Sequence, residues 1–61
     1  MHIAFFSTSD VFLGEEKLNK AGVECNVVPT PVTDKAYCGV CLETEDINAP
    51  EVLKEMEFNI I

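Results

Sequence analysis

Cys38 is the residue best placed to do chemistry in this chain, and Gly39 follows it directly. A thiol reacts as its thiolate, so a working cysteine needs access to solvent and some positive charge nearby. The residues leading to it, Pro29-Thr30-Pro31-Val32-Thr33-Asp34-Lys35-Ala36-Tyr37, follow neither a helical nor a strand period and read as a loop. A loop supplies the access. Gly39 removes a side chain beside the sulfur and lets a partner approach closely. Lys35 is the only cation in the loop and is the candidate stabiliser of a thiolate, while Tyr37 is placed to cover or hydrogen-bond the thiol. The alternative is a loop cysteine without a chemical role, which the acidity of the chain as a whole favours.

Cys38-Gly39-Val40-Cys41 also spells C-x-x-C. That spacing signifies zinc when a second pair of ligands completes a tetrahedral site, and dithiol redox chemistry when it opens a helix beside a strand. Neither context is present. Cys25 and His2 are the remaining candidate ligands, so a metal protein built on Cys38, Cys41 and Cys25 stands as a weaker alternative. Gly39 onward reads as a strand, where positions three apart point to opposite faces. Cys25 and Cys41 therefore read as small core residues, with Cys41 a second candidate as a resolving thiol. His2 reads as a surface or strand-end histidine. The sequence offers no Ser-His-Asp arrangement, no glycine loop for phosphate and no carboxylate pair spaced for acid-base work.

The composition limits the partners. Eleven acidic residues stand against four lysines, a net charge of −7. Nucleic acid and anionic membranes both require clustered Lys and Arg, so neither is expected. The crowding of Glu43, Glu45, Asp46, Glu51, Glu55 and Glu57 in the last third reads as a solvated face. At 48% hydrophobic and 25% charged residues the chain is ordinary for a folded protein. Its 61 residues make one small domain, in which only about 60% of the unfolded surface becomes buried. The apolar run 3–6 lacks a basic flank and is shorter than a signal core or a membrane span, so a cytoplasmic protein with reduced thiols is expected.

The elements that must position the thiol follow in order. Ile3-Ala4-Phe5-Phe6 reads as a strand, and Ser7, Thr8 or Ser9 supplies the cap of a helix from about Asp10 to Ala21. Val11, Gly14, Leu18 and Ala21 form its apolar stripe, in which Gly14 implies close approach to a sheet. Gly22 ends the helix. Val23 to Val28 alternates as a half-buried strand with Cys25 inside, ended by Pro29 and Pro31. A strand from Gly39 to Thr44 follows the loop. Pro50 marks the first turn of a second helix capped by Asp46, Asn48 or Ala49, with Ala49, Val52 or Leu53, and Met56 facing inward. Phe58 to Ile61 reads as a last short strand. This order, βαββαβ, predicts an α+β, ferredoxin-like fold: a four-stranded antiparallel sheet with two helices on one face.

The run Phe6-Ser7-Thr8-Ser9-Asp10, the helix end Leu18-Asn19-Lys20-Ala21-Gly22-Val23, the Pro29-Thr30-Pro31 turn and the Cys38-Gly39-Val40-Cys41-Leu42 segment together resemble a small bacterial and archaeal family. It was once described only as a domain of unknown function and is now labelled putative Se/S carrier protein-like. The resemblance covers nearly the whole chain, and its most specific part is the spacing from Pro31 to Cys38-Gly39. It implies that Cys38 holds sulfur or selenium as a persulfide or selenosulfide. The implied partners are a donor such as a cysteine desulfurase and an acceptor protein, with no cofactor and no enzymatic activity of the protein's own. Where the family usually has arginine after the second proline and serines before the cysteine, this chain has Val32, Lys35 and Tyr37. The rival reading is a non-catalytic ferredoxin-like binding or homodimerisation module with an incidental thiol.

Overall fold

The computed structural model describes residues 1–31 and 37–61. They form β1 (His2–Ala4), α1 (Thr8–Lys20), β2 (Asn26–Pro29), β3 (Val40–Glu43), α2 (Ala49–Val52) and β4 (Asn59–Ile60). The strands make an antiparallel four-stranded sheet in the order β2-β3-β1-β4, which is the expected ferredoxin-like arrangement.

Helix α1 begins two residues earlier than the sequence suggests. Ser7 has an extended backbone, and its hydroxyl accepts the Asp10 N–H at 3.2 Å, satisfying one of the free donors of the first turn. The buried stripe is Val11, Gly14 and Leu18; Ala21, expected on it, is the exposed C-cap. Gly14 is there because the sheet is close. A Cβ at that position would stand 2.8 Å from the Phe5 ring and 3.3 Å from Leu42 Cδ1.

The end of α1 explains why β2 starts at Asn26 rather than Val23. Gly22, at φ +78°, donates to Asn19 O at 3.1 Å, and Val23 N–H reaches back to Leu18 O at 2.9 Å. These two bonds are a Schellman cap, in which the residue after the glycine also packs on the helix. Val23 is accordingly buried at 6% exposure as part of the cap and not of the ladder. Cys25 lies in the connector that follows and is half-buried rather than fully inside.

Ile3, Leu42, Val27 and Ile60 are register partners on the sheet face toward α1, since Leu42 meets Gly14 there. Ile3, Phe5, Val11, Leu18, Val23, Leu42, Ala49 and Leu53 form the core. Asp46 accepts the Asn48 N–H at 2.8 Å just before α2. The second helix is a single turn, shorter than its stripe implies. After Val52 the chain continues through turns, with Met56 N–H donating to Leu53 O at 2.8 Å, and Val52, Leu53 and Met56 still pack on the core.

Candidate functional site

Cys38 lies beside the last residues of the first strand, where the chain leaves the sheet for α1. Its N–H donates to Phe5 O at 3.1 Å, and its carbonyl accepts the Thr30 hydroxyl at 2.8 Å. Thr30 N–H also donates to Gly39 O at 3.0 Å, extending the pairing of β2 and β3 by one step beyond Pro29 and Val40. The backbone around the thiol is thus held from two sides.

The Cys38 side chain is half-buried against the edge of the core, and its Sγ stands 2.9 Å from Val40 O. That contact suits an S–H donor. A thiolate has no proton to give, so the reactive form must turn the sulfur away from the carbonyl. Gly39 is exposed, and a Cβ built there would meet nothing within 4 Å among the described residues. The described residues thus leave room over Gly39, the residue next to the thiol.

Tyr37 extends from Cys38 across the end of β1. Its ring stacks on Phe6 with centroids 5.4 Å apart, and its hydroxyl oxygen accepts from Asn59 Nδ2 of β4 at 3.1 Å. The ring packs beside the site and is anchored at its far end. Sequence patterning does not reveal this Phe6–Tyr37–Asn59 connection, because its nearest pair, Tyr37 and Asn59, is 22 positions apart and meets only once the sheet is assembled. Lys35 and Val32 lie outside the described residues.

The two other thiols are placed differently. Cys41 pairs with Ala4 and Val28 on the sheet face away from α1 and is fully buried. Burial pushes its thiol above the ordinary value of 9.0; the Cys38 and Glu43 side chains push the same way, and the Thr30 hydroxyl partly offsets them. Cys25 is also pushed up, first by burial and then by the charge of Glu15. All three cysteines are free. No group of three or more His, Cys, Asp or Glu side chains among the described residues is gathered as a metal site would require. His2 has a cross-strand partner: its Nε2 lies 3.2 Å from Glu43 Oε2, at the end of the sheet opposite Cys38.

A family model described as putative Se/S carrier protein-like matches residues 1–61. The chain belongs to that family. No curated protein and no solved structure gives a match. The family's label names a carrier. Among the described residues, no helix is long and apolar enough to cross a membrane.

Proposed function

We propose that this protein is a cytoplasmic sulfur or selenium carrier that holds its cargo on Cys38 and is not an enzyme in its own right. The observation that supports it best is the contrast between a fixed backbone and an open side: Cys38 is bonded to Phe5 and Thr30, and no described residue fills the space over Gly39. A half-buried thiol on such a held backbone comes within a partner's reach once its sulfur turns from Val40 O, as exchange with a second protein requires.

The transfer balances without an added oxidant. The Cys38 thiol gives its proton to solvent, and the thiolate attacks the outer sulfur of a persulfide on a donor such as a cysteine desulfurase. The donor's S–S bond breaks, its cysteine leaves as thiolate, and a new S–S bond forms on Cys38. Delivery repeats the step with an acceptor protein's thiolate as attacker; selenium follows the same course as a selenosulfide. Lys35 is proposed as the cation that favours the thiolate, and Gly39 as the opening through which the donor approaches.

Intact-mass spectrometry after incubation with a cysteine desulfurase and cysteine tests this. The wild type is expected to gain one sulfur and Cys38→Ser none, with the fold retained because a hydroxyl can replace the contact to Val40 O. Loading of the variant at the wild-type level would contradict the assignment.

A second reading, a binding or dimerisation module, draws support from Phe12 and Leu13. Both lie on the outer side of α1 and are 53% and 47% exposed. Sedimentation showing a tight dimer, with a Cys38 no more reactive than free cysteine, favours that reading.

A further inference from the structure

We propose that Thr30 is a positioning residue for Cys38, an inference that rests on the carrier reading. Gly39 creates a problem as well as an opening. With no Cβ, and no neighbour among the described residues within 4 Å of where one would be, its backbone has a wide choice of torsions, and rotation there swings the Cys38 sulfur. Thr30 answers that freedom with two bonds: its hydroxyl holds the carbonyl of Cys38 at 2.8 Å, and its N–H holds the carbonyl of Gly39 at 3.0 Å. The two carbonyls flank the torsions of Gly39, so one residue restrains them both.

The sequence around Thr30 suits it to this task. Pro29 and Pro31 fix their own φ angles, and a residue before proline is biased to the extended conformation. Pro29 is also tied into the sheet opposite Val40. Thr30 therefore stands on a stiff arm at the end of β2, and the Cys38 N–H bond to Phe5 O completes a brace running from β2 to the end of β1. A thiol held in one place meets the donor's sulfur without an ordering step at the moment of transfer.

Thr30→Val keeps the shape and the N–H but removes the hydroxyl; Thr30→Ser keeps the hydroxyl. With cysteine desulfurase and cysteine as the sulfur source, Thr30→Val is expected to lower the maximal loading rate about tenfold while the half-saturating desulfurase concentration stays put, and Thr30→Ser to load within about twofold of wild type. An unchanged maximal rate in Thr30→Val, or equal loss in both variants, overturns the proposal. Amide hydrogen exchange reads it without any cargo. Exchange at Cys38 should quicken in Thr30→Val and not in Thr30→Ser, with the amides of α1 unmoved; a uniform rise across the chain indicates general loosening and overturns it too. Should Thr30→Val fail to fold, the wild type decides, because the Thr30 and Cys38 amides must both be protected and exchange at the unprotected rate refutes the brace. Wild-type protein that takes up no sulfur but shows the local exchange pattern removes the carrier reading and leaves the brace.

Discussion

The two ends of the sheet are built from opposite materials. At the end where β1 stops and β3 starts, Cys38 stands among backbone bonds, Phe6 and Tyr37. At the other, Glu24, Glu43, Glu45 and Asp46 gather with Met1 around an open cleft of about 600 Å³. From Cys38 to Glu43 is about 17 Å of extended chain, roughly twice the screening length of about 8 Å at physiological salt. The chain's acidity, which from composition alone argues against a working thiol, is therefore partly segregated from it. Four of the eleven carboxylates behind the net charge of −7 thus stand at the end of the sheet away from Cys38.

The largest effect expected on this contrast comes from a change that removes both ends together. Gly14→Val drives a side chain into the Phe5 ring and Leu42, where both partners are fully buried and cannot yield. Overpacking there should cost about 2 kcal/mol, a large share of what so small a domain has, seen as a lower urea midpoint with loading lost in proportion. A variant as stable as wild type would show that α1 does not lie against the sheet as described.

Cys41→Ala separates the two neighbouring thiols. It should lower stability by about 1 kcal/mol, the loss of one small buried group, and leave delivery from Cys38 to an acceptor at the wild-type rate. A marked slowing of delivery would make Cys41 a resolving thiol after all. The same variant has a pH signature. Because the folded thiol is raised above its unfolded value, the unfolded chain releases its proton first, so stability is full below about pH 8.5 and declines as pH rises further. Cys41→Ala should flatten that decline, which urea titrations from pH 7 to pH 10 would detect. Cys25, raised for the same leading reason, keeps a residual slope.

The smallest effect belongs to the acidic end. Glu43→Gln combined with Glu45→Gln is expected to leave the loading rate within about twofold at physiological salt and above, because those charges are screened from the thiol there. A gain of tenfold or more would mean that the cleft and Cys38 are electrically one site. Stability should change by less than about 1 kcal/mol as well, since the His2–Glu43 pair is a partly exposed one.

Much of this architecture is legible in the sequence where a residue has one physical reason to be present. Gly14 in an apolar stripe signals close approach, and Gly22 after the last lysine signals a cap; the structure has the contact at one and the positive φ at the other. Val23 misleads because two reasons coincide. Its place in an alternating run suggests a strand, yet its amide and side chain are taken by the Schellman cap. The length of α2 is illegible for a different reason, since inward residues at helical spacing can be supplied equally by a single turn followed by tighter turns. At the site, the loop and the glycine single out Cys38 as the candidate thiol. Thr30 is not. It looks like punctuation between two prolines, and only the pairing of β2 with β3 carries it to the carbonyls of Cys38 and Gly39.

On the proposed reading, position and not mere possession of a thiol makes Cys38 the carrier among three free cysteines. Peptide mapping by mass spectrometry of the wild-type protein, quenched by alkylation at successive times during loading by a cysteine desulfurase, tests this most directly. The added sulfur is expected on the peptide containing Cys38, at that residue, while Cys25 and Cys41 stay unmodified until the protein is unfolded. Sulfur found first on Cys25 or Cys41, or spread evenly over the three, would contradict it.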